Sequence, residues 1–164
     1  MAGEGKGRRD MSDRTRVGVD LARVTDIHDS VEAFGSRYLH RIYTDHEIES
    51  CRGSDEVRDR GLAARFAAKE ALLKALRVGD VAVDWREVEV RRTLGGWPEL
   101  ALHGELARLA VASGLLETSV SLTHDDDLAM AVVVAICSDP ATTDDPAPAD
   151  TAVGPDAHDD RRTA

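Results

Sequence analysis

The sequence predicts an α+β domain with antiparallel strands. Near the end of the folded part, SVSLTH and LAMAVVVAIC have strand character on either side of residues 125–127, and WREVEVRRT and PELALH flank residues 94–97, which include two glycines. Strands joined by such short turns pair antiparallel. The helical segments mostly precede these hairpins, which favours an α+β arrangement over a doubly wound parallel sheet.

The elements follow one another in a simple order along the chain. A short strand begins at Val17 and turns at Asp20 toward a helix. Helical periodicity then covers three segments, 23–34, 44–52 and 60–76. Thr44 and Glu47 have the spacing of a capping box at the start of the second. After the first hairpin, GELARLAVASGL predicts a helix that stops near Gly114, which gives the order β-α-α-α-β-β-α-β-β.

Both ends of the chain differ in composition from the middle. Residues 139–164 are rich in Pro, Asp, Ala and Thr, and residues 1–13 place glycines among charges. Segments with so few large apolar side chains cannot offset the conformational entropy lost on ordering. We therefore expect 14–138 to form the folded domain, between a disordered N-terminal extension and a disordered acidic tail.

Charge and composition argue against several classes of function. The net charge is −10 and the domain has no basic run, which argues against nucleic acid as the main partner. No apolar run is long enough to cross a bilayer, and the first residues lack the apolar stretch of a signal peptide. The two cysteines, Cys51 and Cys137, are far apart and form no metal-ligand pattern. A cytoplasmic protein without a membrane partner is expected.

The helix over 60–76 carries the charges that point most clearly to chemistry. Arg65 lies four residues before Lys69, and Glu70 four residues before Lys74, so each pair shares a helix face. Three cations around one carboxylate suit a phosphate or pyrophosphate ligand, with the carboxylate free to bind a divalent metal. The simpler interpretation is a surface salt bridge between Glu70 and Lys74, worth about 0.2–0.5 kcal/mol.

Asp20 is the second carboxylate that such a metal site needs. Its position after an apolar strand also suits a helix N-cap, which is the simpler role. Mg²⁺ is usually held by one or two carboxylates together with waters and phosphate oxygens. Asp20 and Glu70 therefore predict a Mg²⁺ site, with Mn²⁺ as the alternative ion.

His124 follows a strand and precedes three aspartates at 125–127. It fits a turn histidine without a role, a phosphate contact, or a metal site made with these aspartates. The last interpretation is weakened because consecutive strand residues point to opposite faces.

A group of basic residues lies in the first helical region, namely Arg23, Arg37, His40 and Arg41. Scattered surface arginines are one explanation. A patch that steers an acidic protein partner is the other.

Taken together, these segments resemble the short bacterial holo-acyl-carrier-protein synthases, which are 4′-phosphopantetheinyl transferases. The resemblance runs from about Val17 to Ile136 and rests on VGVDLARV, RIYTDHE, RFAAKEALLKAL, WREVEV, GGWPEL and SVSLTHD. The long-helix motif is specific in combination with an upstream GVD and a downstream S-x-T-H. The family's fold has the predicted order of elements, and its members are commonly trimers with active sites between subunits.

The resemblance implies a role for each candidate residue. Asp20 and Glu70 match the acids that hold Mg²⁺ against the pyrophosphate of coenzyme A, and Lys74 matches a lysine that contacts it; these three are the implied catalytic residues. Other positions line the coenzyme A site: Arg65, Lys69 and His124. The basic positions that face the acidic recognition helix of the carrier protein are matched by Arg23, Arg37 and Arg41.

The implied reaction moves 4′-phosphopantetheine from coenzyme A to a serine hydroxyl of an apo-acyl carrier protein and releases 3′,5′-ADP. Glu70 or a metal-bound water takes the serine proton. The carrier is open among fatty-acid, polyketide and peptide-synthetase carriers. Two other hypotheses are a noncatalytic coenzyme A or nucleotide-binding subunit and, with less support, a Mg²⁺-dependent phosphohydrolase.

Three features depart from the family pattern. Arg77 stands just past the long helix, where the family usually has glycine. Trp97 replaces a basic or polar residue in the hairpin turn, and the aspartates at 125–127 add negative charge beside a phosphate site.

Overall fold

Two antiparallel sheets and five α-helices make up the computed structural model, which describes residues 13–78 and 82–138. The elements are β1 (Asp13–Arg23), α1 (Val24–Phe34), α2 (Ser36–Ile42), α3 (Asp45–Ser50), α4 (Asp55–Leu76), a 3₁₀ turn (Trp85–Glu87), β2 (Val88–Arg92), β3 (Pro98–Leu102), α5 (Gly104–Ala112), β4 (Leu115–Asp125) and β5 (Leu128–Ser138). The predicted α+β class is confirmed, as are both hairpins and the Thr44–Glu47 capping box.

The first half of the chain contains one helix more than predicted. α2 is a separate seven-residue helix that follows Gly35, whose φ of 54° redirects the chain after α1. A helix this short has too little periodicity to be recognised from its sequence. Asp13 belongs to β1 and not to the N-terminal extension, while 1–12 and 139–164 lie outside the described residues, so their predicted disorder stays a prediction.

The larger sheet has the strand order β1-β5-β4, so β5 is central and β1 and β4 form its two edges. β2 and β3 form a separate two-stranded sheet. In the larger sheet, Asp20 pairs with Ala131 and His124 pairs with Ala129. The two candidate site residues therefore lie on opposite edge strands, two residues out of register, which places them about 12 Å apart in the sheet.

Helix α4 packs against the inner face of this sheet and is buried over most of its length. Its many alanines have small side chains, so the helix axis can lie close to the sheet. Gly18 on β1 allows the closest approach, since a Cβ at this position would lie 1.8 Å from the carbonyl oxygen of Ala71. The absence of a side chain at Gly18 thus brings the second half of α4 directly beside β1.

The outer face of the larger sheet is apolar and uncovered in the single chain. On β1 the exposed fractions are 58% for Val17, 45% for Val19 and 58% for Leu21. Val19 lies opposite Val132 of β5, which belongs to the same outward-facing row. A contiguous apolar surface of this kind marks a site of protein association.

Two departures from the family pattern occupy strained or exposed positions. Arg77 ends α4 in the left-handed region, with φ 56° and ψ 35°, and its amide donates to the carbonyls of Leu73 and Lys74. This is the position where glycine is preferred, because glycine has no Cβ to strain. Trp97, at the turn between β2 and β3, is largely exposed.

Candidate active site

The carboxylates predicted to bind a metal lie together on the β1 side of α4. Asp20 lies within β1, three residues before its end, so the N-cap interpretation is wrong; the N-cap residue of α1 is Arg23. The Nζ atom of Lys74 donates to Asp20 Oδ1 at 2.7 Å and to the carbonyl oxygen of Val19 at 3.2 Å. Lys74 therefore bonds across to the strand, and the predicted surface salt bridge with Glu70 is not its main contact.

Glu70 lies close enough to Asp20 for the two negative charges to interact. Partial burial raises the pKa of the Glu70 carboxyl, the Asp20 carboxylate raises it further, and Lys74 lowers it. A pair of neighbouring carboxylates disfavours ionisation of one of them unless a cation lies nearby. Their oxygen donors meet the preference of Mg²⁺.

A second candidate region lies at the other end of α4, between that helix and β4. A cleft of about 440 Å³ is lined by polar side chains that include Ser50, Arg60, Arg65, Arg92 and His124. A smaller neighbouring hollow shares Arg65 and Arg92 with it. The cleft brings together two of the three residues expected at the coenzyme A site, Arg65 and His124.

Arg65 is 7% exposed, and its guanidinium is held on two sides. Nη1 donates to the carbonyl oxygen of Gly61 at 3.0 Å, and Nη2 donates to Ser50 Oγ at 2.8 Å. Its Nε is buried and has no hydrogen-bond partner within the described part of the chain. A fixed guanidinium at the wall of a cleft suits an anionic or oxygen-rich ligand.

Lys69 is buried and does not line the cleft in the single chain, so its predicted contact with coenzyme A stays a prediction. Its side chain is fully buried, and Nζ donates to Glu47 Oε2 at 2.8 Å and to the carbonyl oxygens of Ile42 and Trp85 at 3.0 and 2.9 Å. The Glu47 carboxylate also accepts from the amides of Thr44 and Val90. Burial lowers the pKa of the Lys69 ammonium, and Glu47 opposes that shift. The pair joins α3, α4 and β2 inside the core.

The cations of α4 point in different directions, so within a single chain they cannot all contact the same phosphate group. Arg65 and Lys74 are nine residues apart, which places them about 180° from each other around the helix axis. Arg65 and Glu70 are separated by about 140° in the same way. The acid pair with Lys74 and the arginine cleft with His124 are thus two separate candidate sites on different sides of α4.

The aspartates after His124 have structural roles that the sequence did not indicate. Asp127 accepts from the amide and the hydroxyl of Thr25 at 2.8 and 3.0 Å and lies 3.6 Å from Arg23. Asp126 occupies the turn with a φ of 45°. Within the described residues, no group of three or more His, Cys, Asp or Glu side chains could hold a metal, so the alternative site around His124 is not formed.

The three arginines predicted to meet a carrier protein lie on two elements. Arg23 precedes α1 and lies beside Asp127, whereas Arg37 and Arg41 are exposed on α2, four residues apart on one face. Arg41 lines a hollow together with His40, Trp85 and Arg86.

Sequence reasoning missed several residues of the site. Arg60 lies five residues before Arg65 on α4, and Arg92 ends β2, so both join the cleft only through the tertiary fold. A spacing of five residues does not place Arg60 on the same helix face as Arg65, so no helical pattern identifies it. No local signal identifies Ser50 as a partner of Arg65.

Comparisons with known proteins identify the family of this chain. Residues 16–133 match the family model described as the 4′-phosphopantetheinyl transferase superfamily. The chain belongs to this superfamily. This transferase is 39% identical over 121 residues to the holo-[acyl-carrier-protein] synthase of Gloeobacter violaceus, covering 74% of the chain and 92% of the relative. The corresponding protein of Chloroflexus aurantiacus is 44% identical over 130 residues, covering 72% of the chain and 95% of the relative.

Solved structures of the same kind share the fold of this transferase. The holo-[acyl-carrier-protein] synthase of Neisseria meningitidis has a TM-score of 0.66 and 29% identity, covering 73% of this chain and 96% of that one. The Helicobacter pylori synthase in complex with coenzyme A has a TM-score of 0.63 and 27% identity, covering 73% and 98%. Among the described residues, no helix is long and apolar enough to cross a membrane.

Proposed function

We propose that this transferase moves the 4′-phosphopantetheine group from coenzyme A to a serine of an apo-acyl carrier protein. The observation that carries the proposal is the meeting of Asp20, Glu70 and Lys74 at one edge of the sheet, although 50 residues of sequence separate the two acids. The names of the relatives, holo-[acyl-carrier-protein] synthases, and the coenzyme A complex of the Helicobacter pylori protein support the same reaction.

In the proposed reaction, the serine oxygen forms a bond to the β-phosphorus of coenzyme A. The bond from that phosphorus to the bridging oxygen breaks, and 3′,5′-ADP leaves with the electron pair. Lys74 stabilises negative charge on the pyrophosphate oxygens. Glu70, whose pKa is raised, is suited to accept the serine proton.

Asp20 and Glu70 would hold Mg²⁺ at this site. When bound, the ion would neutralise charge on the phosphate groups during transfer. Asp20 is already oriented by Lys74, and the acid pair gains from any added positive charge because its members repel each other.

We further propose that a complete site forms between copies of this chain in a homotrimer. The acid pair lies beside edge strand β1, and the cleft with His124 lies beside the opposite edge strand β4. A head-to-tail contact that repeats and closes produces a ring, in which β1 of one copy approaches β4 of the next. The uncovered apolar face of the sheet provides the surface that such a ring would bury.

Val19→Glu is expected to break this assembly, because burying an unpaired carboxylate in an apolar interface costs several kcal/mol. Light scattering after size-exclusion chromatography should show a trimer for the parent protein and a monomer for the variant, with transfer reduced at least about tenfold. Val111→Glu, at an exposed valine on α5, is the matched control and should remain trimeric. A parent protein that is monomeric and fully active would contradict the shared site.

The carrier protein is proposed to dock on the basic face of α2. Arg37 and Arg41 are exposed and form no ion pair within the described residues, so both charges are available to an acidic helix. Arg23 contributes less in this proposal, since Asp127 already neutralises part of its charge. Long-range attraction of this kind raises the association rate more than it raises affinity at close contact.

Arg41→Glu should raise the KM for an acidic carrier about five- to tenfold and leave the KM for coenzyme A unchanged. The difference from the parent should shrink as salt is added, because salt screens exposed charges. Arg108→Glu makes the same change of charge on α5 and should alter neither constant. Equal carrier KM values for the Arg41 variant and the parent would exclude this face.

The transfer itself is tested with purified protein, coenzyme A, Mg²⁺ and a panel of apo-carriers from fatty-acid, polyketide and peptide-synthetase systems. Intact-mass spectrometry should show the gain of one phosphopantetheine group on at least one carrier. Binding of coenzyme A with no modified carrier would favour the noncatalytic subunit. Release of phosphate, or cleavage of coenzyme A without a carrier, would instead favour the phosphohydrolase.

A further inference from the structure

We infer that Ser50 is a positioning residue for coenzyme A binding, because it holds the guanidinium of Arg65 in the orientation that the cleft requires. The inference rests on the proposed function and adds a residue to the same site. Ser50 is the last residue of α3 and lies on the wall of the cleft beside Arg65 and His124.

The hydroxyl of Ser50 has a defined hydrogen-bonding direction. It donates its single proton to the carbonyl oxygen of Glu47 at 3.0 Å, which leaves its lone pairs for other partners. Arg65 Nη2 donates to this oxygen at 2.8 Å. Because the proton is committed to Glu47, Ser50 acts as an acceptor toward the guanidinium and fixes one end of it.

The support behind Ser50 is rigid. Glu47, three residues earlier on α3, forms the buried pair with Lys69, and its capping box with Thr44 fixes the start of the short helix. Lys69 and Arg65 lie four residues apart on α4, so α3 contacts the same face of α4 at two levels. The backbone that carries Ser50 is therefore anchored to the core through Glu47.

The fixed orientation leaves a defined part of Arg65 for a ligand. Gly61 and Ser50 occupy one hydrogen of each terminal nitrogen, while the enclosed Nε has no protein partner in the described part of the chain. The second hydrogen of each terminal nitrogen is left for a phosphate or carbonyl oxygen of coenzyme A in the cleft. Loss of the Ser50 contact lets the guanidinium rotate away from this position.

The test compares two serines with the same local chemistry. Ser50→Ala removes the contact with Arg65, whereas Ser30→Ala removes a helical serine that also donates to a backbone carbonyl, that of Asp26, but touches no residue of the cleft. We expect Ser50→Ala to raise the Kd for coenzyme A about three- to tenfold by calorimetry, with the carrier KM and the melting temperature close to those of Ser30→Ala. Ser50→Thr keeps a hydroxyl and should retain the parent Kd.

A double-mutant cycle separates positioning from a merely structural role. In the Arg65→Lys background there is no guanidinium for Ser50 to hold. Ser50→Ala should therefore have no further effect on the Kd for coenzyme A. An undiminished effect in that background, or an unchanged Kd in the single variant, would overturn the inference while leaving the proposed reaction intact. A parent protein that binds no coenzyme A would overturn both.

Discussion

Glu70→Gln is expected to lower the rate of phosphopantetheine transfer by at least about 100-fold while leaving the fold intact. Glutamine keeps the shape of the side chain but removes the charge that would bind Mg²⁺ and the oxygen that would accept a proton. Asp20→Asn should have an effect of similar size through the shared metal. The measurement is the initial rate of carrier modification by mass spectrometry over a Mg²⁺ titration.

The same variant should be at least as stable as the parent at neutral pH. The pKa of Glu70 is raised in the fold, so its ionised form is less favourable in the folded protein than in the unfolded chain, and this cost is present once the pH is above the folded pKa. Glu105→Gln, on the surface of α5, controls for loss of one charge and should retain full activity. Parent-like turnover by Glu70→Gln would refute the assignment of the acid pair.

Lys69→Met is expected to reduce the free energy of unfolding by about 3–5 kcal/mol, because it leaves the Glu47 carboxylate buried without its cation. Urea unfolding followed by circular dichroism gives the value. Lys74→Met makes the same substitution five residues further along α4, at a lysine whose side chain is 52% exposed, and should cost less than Lys69→Met.

A neutral partner should restore part of the stability that Lys69→Met removes. The double variant with Glu47→Gln contains no buried charge at this position, while glutamine can still accept from the amide of Val90. If Lys69→Met and Lys74→Met cost equally little, the buried pair would not be the structural element described here.

The sequence predicted the fold class and the chemistry better than it predicted which side chains are accessible. The four-residue spacing predicts that Arg65 shares a helix face with Lys69, and Glu70 with Lys74. This prediction holds for any α-helix. Which face is open depends on what packs against it, and α3 and β2 close over Lys69. A lysine side chain can extend either to solvent or to a buried carboxylate, and the sequence does not distinguish the two cases.

The other differences between the predicted site and the structure also arise from tertiary contacts. The residues that surround Arg65 in the cleft come from α3, α4, β2 and β4, and no spacing rule relates them. The sequence predicts for Asp127 only a metal site with His124 or added negative charge beside a phosphate site, whereas its carboxylate bonds to Thr25 at the start of α1, more than 100 residues away. Such a contact follows from the pairing of β1 with β5 and not from either local sequence.

The close packing of Gly18 against Ala71 controls the spacing of the proposed acid pair. Any methyl group at residue 18 would push α4 away from β1, and with it Glu70 from Asp20. The distance between Asp20 and Glu70, the two proposed metal ligands, therefore depends on the absence of a Cβ atom at Gly18. A designer who transplanted only the charged residues onto another scaffold would carry over the ligands without the spacing that lets them share an ion.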